Sequence, residues 1–249
     1  MYRVVPSPRG KVPCIRPPRG TRVVTLATAL LLSASLAHAD DGSMATVGGS
    51  VRLMRENANI RMVAETVRAR ITQDLITVDC TFTMKNEGSA DTVLVGFPDG
   101  DSVGHGQEQL ASFRSWVDGI EVVCTRIQDA QQELSWWTKR VAFPAGAVVV
   151  MRNRYTVAPG SSRTTEAQDF TYILWTGTSW KGPIGSAEII ATLVGIPASL
   201  VTGSDPVARR KGRTFRWALN DFEPGSADGS PSEVQLRWRD PREPRSDSP

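Results

Sequence analysis

Histidine is nearly absent from this chain of 249 residues, in which it occurs only as His38 and His105. A Ser/His/Asp hydrolase needs an imidazole within hydrogen-bond reach of its nucleophile, and a metal centre built from several imidazoles needs more than one. His105 lies between Gly104 and Gly106, in a loop that is a poor place to hold a catalytic ring rigidly. The scarcity of histidine therefore argues against histidine-based catalysis and excludes multi-histidine metal centres.

Cysteine is also scarce, because only Cys14, Cys80 and Cys124 are present. Cys80 and Cys124 lack the close spacing of metal ligands, but each lies in a run of alternating apolar residues. We predict a disulfide between them, which would close a loop of about 40 residues and stabilise the fold by about 3–4 kcal/mol. The alternative is two buried free thiols that pack as small hydrophobic groups.

The N-terminal segment, Met1–Ala39, has the features of an export signal. Arg16, Arg19 and Arg22 form a basic flank before an apolar run of 14 residues, Val23–Leu36. Ala37-His38-Ala39 forms a small-x-small cleavage site before Asp40. The run is shorter than the roughly 18–20 residues of a transmembrane helix, so we expect cleavage between Ala39 and Asp40. An uncleaved anchor is the alternative.

Removal of this segment changes the charge of the protein and predicts where it works. The full chain has 29 basic and 26 acidic residues, and the segment holds six of the basic residues and none of the acidic ones, so 23 basic residues remain. The only dense basic cluster left is Arg209–Arg213, whereas a nucleic-acid-binding protein presents a broader basic surface. We expect an exported protein, periplasmic or extracellular, with no membrane span after cleavage and no nucleic-acid partner.

Alternation with a period of two dominates the rest of the chain. From Leu75 to Met84, apolar residues alternate with threonine and aspartate, as in a strand with one buried face. A turn at Lys85–Ser89 leads into a returning strand, Thr92–Phe97, which Pro98 ends. This segment predicts a β-hairpin.

The same pattern recurs and predicts an all-β antiparallel sandwich of about ten or more short strands. Asp118-Gly119 predicts a tight hairpin turn, and only Gln128–Leu134 and Gln107–Ala111 have short helical character. The further predicted strands are Ser50–Met54, Ile60–Ile71, Phe113–Val117, Ile120–Ile127, Trp136–Phe143, Val148–Val157, Thr171–Trp175, Ala187–Val194, Thr214–Leu219 and Val234–Trp238.

The domain organisation follows from these patterns. After the signal at 1–39 we expect a linker at 40–47, a β-sandwich domain at 48–239 and a disordered tail at 240–249. A polar stretch at 159–168 could separate two β subdomains, but the same strand pattern on both sides favours one body.

Three phrases resemble a secreted bacterial family that is known only as a domain of unknown function. They are Gly48-Gly49-Ser50-Val51, Gly96-Phe97-Pro98, and Tyr172-x-Leu174-x-Thr176-Gly177-x-x-Trp180-x-Gly182-x-Ile184. The resemblance spans 48–238 and implies a secreted all-β protein with no assigned reaction. It transfers no catalytic residue, and we assign no catalytic, cofactor-binding or metal-binding residue.

Carboxylates offer the remaining route to catalysis. A glycosidase needs two of them at a defined separation, and Asp99, Asp101, Asp118 and Glu121 are candidates because they lie near strand ends. Asp99-Gly100-Asp101 also has the form of a small calcium loop, but it supplies too few of the six to eight oxygens that calcium takes.

Tryptophan is the most informative residue type that is present. Trp137, Trp175 and Trp180 could form an exposed rim that stacks on sugar rings or anchors a protein, although they could equally be core residues. We therefore expect a non-catalytic binding or cell-envelope interaction module with a protein or glycan partner and no cofactor. The alternatives are a carboxylate-dependent carbohydrate-active hydrolase and a structural subunit of a surface assembly.

Overall fold

A computed structural model describes residues 48–54, 59–99, 110–129, 134–162 and 167–242. The chain separates into two compact units, 1–39 and 40–249, and every described residue belongs to the second. The predicted signal, its cleavage site, the linker, Asp101 and His105 lie outside the described residues.

The described chain consists of sixteen strands and two short 3-10 turns, Trp175–Ser179 and Ala198–Leu200. The strands are β1 (Arg52–Leu53), β2 (Ile60–Ile71), β3 (Ile76–Asn86), β4 (Asp91–Pro98), β5 (Ser112–Val117), β6 (Ile120–Val122), β7 (Thr125–Asp129), β8 (Leu134–Phe143), β9 (Val148–Val157), β10 (Gly160–Ser162), β11 (Ala167–Ile173), β12 (Ile184–Leu193), β13 (Val201–Asp205), β14 (Arg209–Lys211), β15 (Thr214–Phe222) and β16 (Glu233–Arg239).

These strands form three sheets, which confirms the predicted all-β sandwich class. The largest sheet has eight strands in the order β14-β15-β12-β2-β3-β9-β5-β6, and two sheets of four strands have the orders β1-β4-β8-β7 and β10-β11-β16-β13. Every pairing between strands is antiparallel except that of β12 with β2. Because parallel neighbours cannot be joined by a hairpin, β2 and β12 need a crossover connection.

Two local predictions are confirmed, and the first is the alternation of buried and partly exposed residues in β3. In β3, Ile76, Val78, Cys80, Phe82 and Met84 are all buried, and the residues between them are partly exposed.

The second local prediction is the tight turn. Asp118 and Gly119 join β5 to β6, and both have positive φ, 48° and 81°. Asp118 is further held because its Oδ1 accepts a hydrogen bond of 2.8 Å from the Val150 amide.

Other local predictions are wrong. Gln128 and Leu134 belong to the paired strands β7 and β8 instead of a helix, because backbone pairing in a sheet overrides a weak helical preference. Ala111 is likewise not helical. The predicted strand Ile120–Ile127 divides into β6 and β7, which belong to different sheets.

The structure describes the first three residues of the predicted disordered tail, 240–242. Arg242 forms ion pairs with Asp74, at 2.7 Å, and with Asp240, at 2.7 Å, so the first residues after β16 are held against the domain. The stretch after 242 lies outside the described residues.

A buried carboxylate connects the first described segment, residues 48–54, to the core. Glu65 of β2 accepts hydrogen bonds from Ser50 Oγ, at 2.7 and 2.8 Å to its two oxygens, and from the Tyr172 hydroxyl at 2.5 Å. Burial raises the pKa of Glu65 to about 7, because the core disfavours the charged form more than the two hydroxyls favour it. Gly48 packs so closely that a Cβ there would lie 2.2 Å from the Tyr155 hydroxyl oxygen.

We predict that Glu65→Gln removes part of the pH dependence of stability. The pKa of Glu65 is raised on folding from 4.5 to about 7, so the unfolded state releases this proton first, and stability falls as pH rises through this interval. The variant resembles the protonated acid, so its unfolding free energy relative to wild type should increase by about 3 kcal/mol between pH 4 and pH 8. Urea denaturation at both pH values measures this difference. Glu188→Gln, at a partly exposed position on the outer side of β12, should show no such trend, and parallel pH profiles of wild type and Glu65→Gln would contradict the assignment.

Candidate functional site: a basic sheet face

One side of the eight-stranded sheet faces solvent, and the register of its strands brings distant residues together there. Successive side chains of a strand point to opposite sides, so residues two apart share a face. The apolar side chains of β2, β3, β9 and β12 point into the core, which leaves their polar neighbours on the outer side. Directly paired residues then form rows across the strands.

Three adjacent rows make up what we call the basic face. The first row is Lys211, Thr214, Thr192, Arg70, Thr77, Thr156 and Ser112. The second row is Arg209, Arg216, Ile190, Arg68, Asp79, Arg154 and Arg114. The third row is Ala218, Glu188, Thr66, Thr81, Arg152, Trp116 and Glu121.

The basic face has eight basic side chains and three acidic ones, an excess of five positive charges, although 40–249 as a whole has more acidic than basic residues. All eight basic side chains are exposed: Arg68, Arg70, Arg114, Arg152, Arg154, Arg209, Lys211 and Arg216. Positive charge is therefore concentrated on one surface, where it creates an attractive field for anions.

The three acids of the face already have partners. Arg114 pairs with Glu121 at 2.5 Å, Arg216 pairs with Glu188 at 2.5 Å, and Arg152 pairs with Asp79. The Arg114 guanidinium holds the pKa of Glu121 below its usual value. These pairs use up the negative charge of the face.

The other five basic side chains of the face form no ion pair with any described residue. They are Arg68, Arg70, Arg154, Arg209 and Lys211. Two cross-strand pairs also place arginine directly opposite arginine, Arg114 with Arg154 and Arg209 with Arg216. Like charges at directly opposed positions destabilise a sheet, so this arrangement costs folding free energy that an anionic ligand would offset.

A shallow groove marks the β14 edge of the face. It has a volume of about 570 Å³ and is lined by Arg209, Arg210, Lys211, Thr214 and Arg216. This edge contains the basic cluster that is visible in the sequence, and the structure extends it across six further strands. The arginines of β2, β5 and β9 precede this cluster by about 55 to 140 positions in the chain, so no local signal joins them to it.

Trp116, the aromatic residue of the basic face, is covered by two neighbouring arginines. Arg114 and Arg152 lie over the Trp116 ring, with guanidinium carbons 5.1 and 5.3 Å from its centroid. Cation–π contact with both arginines holds their charged ends over the face.

The structure does not bring the three predicted rim tryptophans together as exposed side chains. Trp180 is buried, and its Nε1 donates a hydrogen bond of 2.7 Å to the Val51 carbonyl oxygen. Trp137 is half-buried and stacks on Phe113, with ring centroids 5.5 Å apart, whereas Trp175 is 36% exposed at the 3-10 turn. Trp180 therefore belongs to the core.

The predicted disulfide is absent, because Cys80 and Cys124 are both free. Two strands, β9 and β5, lie between Cys80 on β3 and strand β6, which leads into Cys124. At about 4.8 Å per strand this separation is about 14 Å, beyond the roughly 7 Å between Cα atoms that a disulfide can span. The alternative of free thiols is correct, with Cys80 fully buried and Cys124 partly exposed.

The candidate carboxylates have structural roles where the structure describes them. Asp99 is buried, accepts a hydrogen bond from the Leu110 amide at 3.0 Å and pairs with Arg126 at 2.7 Å. Asp118 holds the β5–β6 turn and Glu121 pairs with Arg114. The groove at the β14 edge has no carboxylate in its lining, and a second cavity, next to Ser115 and Cys124, has only Glu121.

The edge strands bear on the alternative of a structural subunit, which would assemble by strand addition. The outer strands of the three sheets, β1, β6, β7, β10, β13 and β14, have at most five residues each within the described chain. Short and charged edges are a common protection against pairing with another chain.

The described residues contain neither a group of metal ligands nor a membrane-spanning helix. No three His, Cys, Asp or Glu side chains in this part of the chain are grouped as metal ligands. None of its helices has the length and apolarity to cross a membrane.

Comparisons with known proteins give likeness in fold. No protein-family model matches the sequence, and no curated protein does. A crystal structure from Legionella pneumophila, provisionally described as a nutrient binding protein, matches with a TM-score of 0.60 and 18% identity over 79% of this chain and 72% of that chain. Matches of lower TM-score include an M1 zinc metallopeptidase of Deinococcus radiodurans (0.34, 8% identity, 74% of this chain and 43% of that one). They also include yeast LTA4 hydrolase (0.40, 8% identity, 81% of this chain and 31% of that one).

The free thiols lead to a prediction about reduction. Dithiothreitol should leave the thermal unfolding midpoint unchanged, because no cross-link contributes to stability. Differential scanning fluorimetry with and without the reductant measures this, and a drop of the midpoint equivalent to about 3 kcal/mol would indicate a disulfide after all.

Proposed function

We propose that this protein is an exported, non-catalytic binding module that holds an acidic polysaccharide on its basic face. The observation that carries the proposal is the excess of five positive charges on this face, with five basic side chains that pair with no acid in the described chain. A ligand with regularly repeated carboxylates matches an array of this kind, because arginine binds carboxylates through two parallel hydrogen bonds.

The shape of the sheet favours a flexible chain as the ligand. Adjacent strands are rotated by about 20–25° on average, so the seven steps of an eight-stranded sheet sum to about 150°. A polysaccharide chain can follow such a twisted surface, whereas a flat membrane would meet only part of it.

The composition of the face favours sugars over nucleic acid. Sequence-tolerant binding of single strands relies on aromatic rings on which bases stack. The aromatic ring within the three rows, Trp116, is covered by Arg114 and Arg152. Six threonines between the arginines instead offer hydroxyls to the hydroxyls of a sugar chain: Thr66, Thr77, Thr81, Thr156, Thr192 and Thr214.

Two further observations support the proposal. The sequence of residues 1–39 predicts export, which would place the protein where envelope and extracellular polysaccharides occur. The structure from Legionella pneumophila with the same fold is described as that of a binding protein.

The test removes charge from the centre of the face. The triple variant Arg68→Thr/Arg70→Thr/Arg154→Thr should bind polygalacturonate about tenfold more weakly than wild type, at about 0.5 kcal/mol for each lost contact. Isothermal titration calorimetry at 50 and 200 mM salt measures both the affinity and its salt dependence, which should be smaller in the variant.

A matched control separates the face from net charge. Arg140→Thr/Arg237→Thr/Arg239→Thr removes the same charge from exposed positions on β8 and β16. Its affinity should stay close to that of wild type. Equal losses in both triple variants, no binding of polygalacturonate by wild type, or tighter binding of single-stranded DNA would each overturn the proposal.

A stability measurement tests whether the opposed arginines of the basic face destabilise the fold. Arg154→Thr removes the like-charge pair with Arg114 and places a residue of high strand preference in β9. Its unfolding free energy in the absence of polymer should rise by about 0.2–1 kcal/mol while polymer binding weakens. Guanidinium denaturation measures the stability, and a fall in stability would show that Arg154 contributes to the fold.

A further inference from the structure

A second cavity, of about 270 Å³, lies at the opposite end of the eight-stranded sheet from the basic groove. Its lining comes from β5, β6, the link between β6 and β7, and β8: Phe113, Arg114, Ser115, Glu121, Val122, Val123, Cys124 and Trp137. The cavity is thus bounded by strands of two different sheets, where the chain crosses from one to the other.

A buried lysine lies directly behind the floor of this cavity. Lys139 of β8 is 5% exposed, and its Nζ donates hydrogen bonds to Asn153 Oδ1, at 2.9 Å, and to Ser115 Oγ. Ser115 is itself part of the lining. Burial lowers the pKa of Lys139 to about 8, while nearby Cys124 acts in the opposite direction.

The surroundings of Lys139 supply neutral acceptors only. Its partners are a hydroxyl and an amide oxygen, and it forms no ion pair with a described residue. A buried ammonium group without a counter-charge is costly, and the cost is relieved when an anion pairs with it.

Two other polar groups nearby are donors without an acceptor. Asn153 Nδ2 and Trp137 Nε1 are both buried and have no hydrogen-bond partner in the structure. Asn153 is fully buried and already uses its Oδ1 for Lys139 and Ser115. A site with unused donors and fully used acceptors is matched by a ligand that brings acceptors.

The walls of the cavity are partly apolar and partly formed by the Arg114–Glu121 ion pair. Phe113 and Trp137 stack with an angle of 12° between their rings, and Val122 and Val123 add aliphatic surface. The volume is slightly below the lower end of the range of drug-sized ligand pockets, so the ligand should be small.

We propose that this cavity binds a small organic carboxylate, with its apolar body against Phe113, Trp137 and Val122 and its carboxylate toward Ser115 and Lys139. The cavity adjoins the β5–β6 end of the basic face, with which it shares Arg114 and Glu121, and its ligand is a small molecule instead of a polymer.

The hydrogen bonds on the floor can rearrange without loss when the carboxylate binds. Lys139 donates to both Ser115 Oγ and Asn153 Oδ1, so Asn153 Oδ1 remains satisfied if the Ser115 hydroxyl turns away from it. The Ser115 hydroxyl is then free to donate to a ligand oxygen, and the ammonium group behind it strengthens that bond. Ser115 is the contact residue in this arrangement, and Lys139 is a positioning residue that supplies the charge.

Cys124 gives a direct readout because it lines the cavity, whereas Cys80 is fully buried. Benzoate should slow alkylation of Cys124 by iodoacetamide, about threefold at twice its dissociation constant, by mass action. Benzyl alcohol, which has the same ring without the charge, should protect much less. Peptide mapping by mass spectrometry distinguishes Cys124 from the other two cysteines.

Variants assign the effect to the floor of the cavity. Lys139→Met should abolish the difference between benzoate and benzyl alcohol, and Ser115→Ala should weaken benzoate protection while leaving the positive charge in place. Lys85→Met, at a lysine bound to the Gly146 carbonyl oxygen in an exposed turn, is the control and should behave as wild type. Circular dichroism verifies that each variant is folded, and each alkylation rate is compared with the rate of the same variant without ligand.

The outcomes decide the proposal in both directions. Protection of Cys124 by benzoate that depends on Lys139 supports it. Equal protection by benzyl alcohol and benzoate, unchanged protection in a folded Lys139→Met variant, or no protection of the wild-type protein would overturn it. None of these outcomes affects polygalacturonate binding, so this proposal and the proposed function fail separately.

Discussion

The register of β2, β3 and β9 is the constraint on which the other features depend. These three long strands lie in the middle of the eight-stranded sheet and pair along almost their whole length. A slip by one residue would exchange the faces of a strand, turning its apolar residues to solvent and its arginines into the core. The same ladder therefore fixes both the core and the basic face.

Two buried ionisable side chains, Glu65 and Lys139, are each stabilised by a different kind of neighbour. Glu65 is surrounded by hydroxyl donors, and its raised pKa of about 7 allows it to be neutral in mildly acidic conditions. Lys139 is surrounded by acceptors, and its lowered pKa of about 8 leaves it closer to neutrality than an exposed lysine. Glu65 stabilises the attachment of residues 48–54, whereas Lys139 lies behind Ser115 in the floor of an open cavity, so only the charge of the lysine can act on a ligand.

The candidate sites are built from residues that no local pattern connects. The rows of the basic face join residues from eight strands, and the cavity at Ser115 joins two sheets through the link at Val123 and Cys124. In the sequence, Arg68, Arg114 and Arg154 are each typical of the solvent-exposed side of a strand. Trp180 shows the opposite error, because its position beside a turn suggested exposure although its indole is buried against Val51.

The all-β class, the inward residues of β3 and the tight turn at Asp118-Gly119 could be predicted from the sequence, because alternation and positive φ are properties of a few consecutive residues. The separation of Cys80 from Cys124, the strand conformation of Gln128 and Leu134, and the grouping of eight basic side chains on one face became visible only in the folded structure. These features depend on which strands become neighbours and in which register, and that choice is made by burial of apolar side chains across the whole chain.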